Sequence, residues 1–314
     1  MAEMVKKATR ESFGEALCAL AETNPDIVVL DADLAEATKT GIFKKQYPDR
    51  FFDCGIAEQN MVGIAAGLAA CGKIPFAASF AMFAAGRAFE QVRNSVGYPH
   101  LNVKIAGSHA GISVGEDGAT HQCCEDIALM RTIPGMVVLN PADHYEMQAA
   151  VKAAAEYVGP VYIRLGRLAV ESVNNNDDYT FEIGKGITLR DGKDITIIAT
   201  GLLVQEAVKA AKALEAAGID ARVLDIHTIK PLDTELVLKA AQETGRIVVA
   251  EEHNVIGGLG EAVSSYLSEV CPTPVTKIGI YDEFGHSGPA VDLLKEFGLS
   301  AENIEATVKK VLGK

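Results

Sequence analysis

Residues 51–80 read FFDCGIAEQNMVGIAAGLAACGKIPFAASF, and two patterns meet in them. From Glu58 to Cys71 the residues are mostly small or apolar and run long enough for a helix. From Ile74 to Phe80 a short apolar run follows a Gly-Lys break, as a buried strand does. A helix feeding a buried strand is the repeating unit of an α/β protein with largely parallel sheets. One residue sits badly in this pattern. Glu58 stands at the mouth of a helix that otherwise looks buried, and glutamate is almost never fully buried unless it is paired or has work to do.

The same unit recurs in both directions. Upstream lie a helix over 11–23 and a strand over 27–33. Downstream come helix 84–96, strand 102–107, a polar glycine-rich loop 107–122, helix 124–131, strand 136–140, helix 143–157 and strand 160–165. The Asn/Asp-rich stretch 171–180 (ESVNNNDDYT) reads as a connection between domains. Beyond it, strands 194–200, 220–225, 246–251 and 274–279 alternate with helices 202–217, 233–243 and 258–269, and the tail 301–313 is helical. The predicted class is α/β with two domains, each a mainly parallel sheet flanked by helices: residues 1–170, a linker 171–190, and 191–314.

Composition narrows the function. The 314 residues suffice for two domains, and 42 Asp+Glu against 29 Lys+Arg leave a net charge of −13. That sign argues against a nucleic-acid or anionic-membrane surface. No apolar run is long enough for a membrane span and the start lacks a secretory signal, so a cytoplasmic protein is expected. The six cysteines form no C-x-x-C pair and read as free buried thiols, with the vicinal pair Cys123–Cys124 standing apart.

Ligands of parallel sheets bind at the carboxyl ends of the strands, and the interesting polar and aromatic residues gather there. Asp31 and Asp33 follow the first strand, Phe80 and Phe83 a later one, and GSHAGISVGEDGATHQ (107–122) the next. That loop carries His109, His121 and the acid pair Glu116 and Asp117 among four glycines. So many titratable groups point to a site; a solvated turn is the plainer alternative. Metal-ligand spacing is missing. GGLG (257–260) lacks the G-x-G-x-x-G spacing and reads as a close-packed βα turn. Taken alone, Glu58 could equally be a helix-start acid facing the macrodipole, worth about 0.3–1 kcal/mol. Phe80 and Phe83 alone read as core.

Longer stretches now decide. IAEQNMVGIAAGLAACG, SFAMFAAGRAFEQVR, GSHAGISVGEDGATHQ and IPGMVVLNPAD resemble the pyrimidine-binding domain of transketolases. VLDIHTIKPLD and IVVAEEHNVIGGLGEAV resemble the family's C-terminal domain, and the likeness runs in order from about residue 5 to the end. The G-D-G…N motif that holds the cofactor's diphosphate through a metal is absent. The chain thus resembles the C-terminal half of a split transketolase. The resemblance implies thiamine diphosphate as cofactor, with a divalent metal (Mg or Ca) held mainly by an N-terminal partner subunit, in an α2β2 assembly. The implied reaction is transfer of a two-carbon ketol unit between sugar phosphates.

The resemblance also assigns roles. Glu58 would be a shielded carboxyl of raised pKa that donates to a ring nitrogen of the cofactor. Phe80 and Phe83 would pack around the aminopyrimidine, with Asp33 nearby. Arg10, His109 and Arg167 would hold the sugar's phosphate, Arg164 being a competing choice. Asp117 would read a hydroxyl, and His121 would orient or shuttle a proton. Ala37 stands where some relatives have a serine touching phosphate. The nearest alternatives are a 1-deoxyxylulose-5-phosphate synthase, the β subunit of a 2-oxoacid dehydrogenase, and a non-catalytic regulatory homologue.

Overall fold

The computed structural model describes residues 4–174 and 179–314. Its strands in chain order are β1 (Lys6–Ala8), β2 (Ile27–Asp31), β3 (Phe51–Asp53), β4 (Ile74–Phe80), β5 (Lys104–Ser108), β6 (Val137–Leu139) and β7 (Val161–Leu165). They continue as β8 (Ala169–Glu171), β9 (Ile187–Arg190), β10 (Ile195–Ala199), β11 (Ala221–Asp225), β12 (Thr228–Lys230), β13 (Ile247–Asn254) and β14 (Val275–Ile280). The first sheet runs β12-β6-β7-β5-β4-β2-β3, parallel except where β12 pairs β6. The second runs β14-β13-β10-β11-β9, parallel except for the edge strand β9. The chain is α/β with two mainly parallel sheets, as the alternation predicts.

The inner strands of the first sheet, β2, β4, β5, β6 and β7, are buried on both faces, and their side chains divide with the period of two. On β4, Phe76 and Ala78 pack with Phe13, Leu17, Met147 and Val151 from helices Thr9–Thr23 and His144–Glu156. Ala77 points the other way, towards Met61, Val62 and Ala65 of helix Glu58–Ala70. Fully burying one such aliphatic or aromatic side chain stabilises by about 1.5–3 kcal/mol.

Five findings depart from the sequence reading. Helix Glu58–Ala70 is buried on one side only; Gln59, Asn60, Gly63 and Gly67 are exposed, as is Ile64. The helix expected over 84–96 consists of two π-helical segments, Met82–Arg87 and Val92–Gly97, around a short α-turn. The supposed linker is not a solvated spacer throughout: Asn174 is buried and donates to Glu146 and Asp225, while Asn175 and Asn176 lie outside the described residues. Strand β9, within the predicted linker, belongs to the second sheet. Finally, β12 follows the second sheet's β11 in sequence yet pairs with β6 of the first, so the two halves share one apolar core.

Of the six cysteines, all free, Cys18, Cys123 and Cys124 are buried while Cys71 is exposed. Burial pushes the Cys123 and Cys124 thiols up, which keeps the vicinal pair protonated and unreactive. No helix among the described residues is long and apolar enough to cross a membrane.

Candidate active site

The site lies where β2, β4, β5 and β7 end. Short β3 leads into residues 54–57, and the chain then turns into helix Glu58–Ala70, so Glu58 opens the helix at 2% exposure. Its carboxylate is not alone: Arg87 Nη1 donates to Oε2 at 2.8 Å. Arg87 ends the first π-helical segment, half-exposed, and its guanidinium lies 4.5 Å from the ring centre of Phe83. Segments of π-helix inside helical stretches often mark functional positions, and this one delivers Phe83 and Arg87 to the same place.

Phe80, the last residue of β4, stacks on Phe83 with centroids 6.0 Å apart and planes 13° from parallel. His109, just past β5, stacks on Phe80 at 4.1 Å. His121 turns its ring edge-on to both, 5.3 Å from Phe83 and 6.1 Å from Phe80. Its Nδ1 sits 2.9 Å from Thr120 Oγ1. Four aromatic rings from two separate segments thus gather in one cluster, joined to Glu58 through Arg87.

The cations adjoin them. Arg10, on the first turn of helix Thr9–Thr23, donates to Ala37 O at 2.7 Å and lies 3.4 Å from His109 Nε2. Arginine only donates, so Nε2 accepts; the ring proton then sits on Nδ1, 2.9 Å from Ser108 Oγ. Burial, with Arg10, Arg167, His121 and Lys39 nearby, holds His109 down to about 3, so the ring is neutral. In this geometry His109 steers Arg10 rather than offering an N–H to an anion. Arg167 donates to Val114 O and to Glu116 at 2.7 Å, which anchors it to the glycine-rich loop.

Arg164 is spent elsewhere. It is buried on β7, with Nε on Asp126 at 2.8 Å and Nη2 on Glu252 O at 2.8 Å. Asp117 is exposed at the rim. Asp33 is exposed too, in a left-handed conformation (φ 62°). The buried acid of that turn is Asp31, which accepts from Leu34 N at 2.6 Å, Thr38 Oγ1 at 2.7 Å and Thr40 Oγ1 at 2.8 Å. It braces the turn that presents the Ala37 carbonyl to Arg10. Burial pushes it up to about 6.

The sequence reading gives Arg87 and Ser108 no part in the site, and it places Asp31 beside Asp33 without a role. For Arg87 a signal existed: it lies four residues after Phe83, the spacing that brings helical side chains together.

A cofactor ring fits this place on one observation. Arg87 is a flat donor lying on Phe83 and bound to a buried carboxylate, the pair of contacts an aminopyrimidine would make there. Among the described residues no group of three His, Cys, Asp or Glu side chains gathers as metal ligands.

Residues 5–172 match the transketolase pyrimidine-binding domain family, and 184–304 match the transketolase C-terminal domain family. A putative transketolase C-terminal section from Methanocaldococcus jannaschii is 50% identical over 99% of this chain and 98% of its own length. A 6-deoxy-6-sulfo-D-fructose transketolase subunit from Clostridium is 46% identical over 96% and 94%. Human transketolase is 40% identical over 98% of this chain, which spans 50% of it. Among solved structures, a split gene transketolase described as an inactive β4 tetramer superposes with a TM-score of 0.91 at 55% identity, covering 98% and 99% of the two chains. The chain belongs to the transketolase family and corresponds to its pyrimidine-binding and C-terminal domains together.

Proposed function

We propose that this chain holds the aminopyrimidine end of thiamine diphosphate and reads the sugar, while an N-terminal subunit supplies the diphosphate and metal end. The observation that carries the reading is Arg87, its guanidinium 4.5 Å over the Phe83 ring and bound to buried Glu58, where the cofactor ring would take its place. When bound, the cofactor supplies the nucleophilic carbon that carries a two-carbon unit from a ketose phosphate to an aldose phosphate.

The chain's own residues do the rest. Glu58 holds a proton at the ring nitrogen, shielded by its burial. Phe80 and Phe83 give the ring apolar faces, and Asp33 lies on the adjoining rim. His121, set by Thr120, moves a proton at the reacting sugar carbon. Asp117 reads a neighbouring hydroxyl. Arg10 and Arg167 hold the phosphate, arginine's fork suiting that anion, and His109 fixes where Arg10 points. The Ala37 side chain offers the anion nothing, which leaves more to the two arginines. The pyrimidine-binding domain ends near residue 172 and the C-terminal domain begins near 184, so that β9 belongs to the second domain and the connection is shorter than 171–190. The cytoplasmic α2β2 assembly, with Mg or Ca held by the partner, completes the proposal. A solved relative described as an inactive tetramer of β chains alone supports the need for a second subunit.

The test is reconstitution. The pure chain should show no ketol transfer, and addition of a subunit carrying the G-D-G…N motif should restore it. Transfer by the pure chain, or a two-chain complex that fails to bind thiamine diphosphate, would overturn the reading.

A further inference from the structure

The loop that carries Asp117 and His121 is gripped by the second domain. Its ends are tied to each other: Ala110 bridges Cys123, and Gly111 N donates to Cys123 O at 2.9 Å. Its body is then pinned from β13 and beyond. Ser113 N donates to Glu252 Oε1 at 2.6 Å, and Asn254 N donates to Cys124 O at 2.7 Å. The third pin is Gln122, 5% exposed, whose Nε2 donates to His286 O at 3.0 Å.

Gln122 also spans the loop from inside. The same Nε2 reaches Ile112 O at 3.3 Å and Gly115 O at 3.4 Å. One amide nitrogen therefore joins the start of the loop, its middle and a strap from the second domain. The strap lies close along the tip. A Cβ on Gly118 would stand 2.5 Å from Ser287 Oγ, and one on Gly115 would stand 3.3 Å from Gly288 O and 2.9 Å from Arg167 Nη1. Glu116 and Asp117 sit between these two glycines.

We propose that Gln122 is a positioning residue through which the second domain sets Asp117, His121 and Arg167 against the sugar. The inference rests on the ketol-transfer reading and deepens it: the C-terminal domain touches the substrate loop, and through it governs substrate affinity. Cofactor affinity should respond far less, because Glu58, Phe80 and Phe83 stand on other elements and the loop meets the two phenylalanines through the edge of the His121 ring. Without the amide, three carbonyls lose one common donor, and the loop loses its hydrogen-bonded tie to the strap while keeping those to Glu252 and Arg167.

Two variants test this from opposite sides of the contact. Gln122→Ala removes the amide. Gly285→Ala acts from the second domain, since its Cβ would fall 2.0 Å from Gln122 Oε1 and push the side chain aside. Both should speed hydrogen exchange of the amides in 113–121 in the full chain. In the two-chain complex both should raise KM for sugar phosphates by about tenfold or more, with the Kd for thiamine diphosphate moving by less than about threefold. The double variant should be little worse than Gln122→Ala alone, because alanine removes the clash with the amide and leaves the methyl only Ile112 Cδ1, the end of a flexible side chain, to displace from 2.7 Å. A merely structural role would weaken cofactor and substrate together. Unchanged exchange, parallel loss of cofactor affinity, or additive KM effects would overturn the proposal. If the wild-type complex transfers no ketol unit, the functional reading falls, and the exchange measurement decides the clamp by itself.

Discussion

The two sheets share an architecture, yet their carboxyl ends are used in opposite ways. At the end of the first sheet, Glu58 is met by a half-exposed arginine, and Phe83, Arg167 and Asp117 remain accessible around it. At the end of the second, the acids are consumed internally. Glu251 Oε2 accepts from Leu259 N at 2.7 Å and Oε1 from Gly260 N at 2.8 Å, which caps helix Leu259–Val270 with the chain's own carboxylate. Glu252 serves Ser113, and Asp225 accepts from Asn174 at 3.2 Å. GGLG therefore offers no phosphate cradle, because the helix N-terminus already holds its anion. A site differs from a strut here in whether its polar groups are satisfied from within.

That contrast can be broken by experiment, and the largest effect belongs to the open end. Glu58→Gln should lower ketol transfer by about 10²–10⁴-fold in the two-chain complex while leaving assembly intact. Turnover near the wild-type rate would remove the distinction between the two ends.

Next comes Asp31. Its carboxyl is raised to about 6 in the fold, so between pH ~4 and 6 the native chain binds more protons than the unfolded chain. Its stabilising contribution is complete below pH ~4 and is lost as the pH rises through 6. His109, held down to about 3, works in the opposite sense: its contribution is present above pH ~6.5 and is lost as the pH falls towards 3. Comparing wild type with Asp31→Asn cancels the histidine. The variant's stability should gain on wild type by roughly 2–3 kcal/mol from pH ~4 to 7, read from urea midpoints. Parallel curves would show that Asp31 does not titrate there.

Glu251→Ala probes the closed end. It should cost about 1–3 kcal/mol of stability by orphaning two amides, with KM and kcat of the folded complex unchanged. A loss of rate beyond the loss of folded protein would make that end functional as well. The smallest effect is that of His109→Ala, which should raise KM about tenfold for phosphorylated sugars and less for unphosphorylated ones. Equal changes for both would separate His109 from the anion.

Some of this was legible in the sequence. The span Ile74–Phe80 is the same in pattern and structure, because a buried parallel strand announces itself by a short apolar run. The helix opened by Glu58 is likewise where its composition puts it. Most of the site residues followed only from long motifs, and they do gather at the strand ends. What stayed hidden is non-local. Nothing near Glu58 in sequence names Arg87, 29 residues away, as its partner. Beyond its first turn the exposed side of helix Glu58–Ala70 carries Gly63, Ile64 and Gly67 and no charged residue, so composition marks it poorly from the buried side. Of the three-residue strands, β6 lies in the longer apolar run 136–140 and shows in the sequence, whereas β1, β3, β8 and β12 are too short to show a period and each exists because its partner does.

Strand β12 carries a consequence for how this chain is made. Lys230 must leave the ribosome before β6 can receive its neighbour, so the first sheet stays unfinished through 90 residues of further synthesis after Asn140. Until then β6 offers a bare row of N–H and C=O groups to any passing strand. A protein truncated after the first domain would carry that exposed edge permanently, and would be prone to sticking to its own copies.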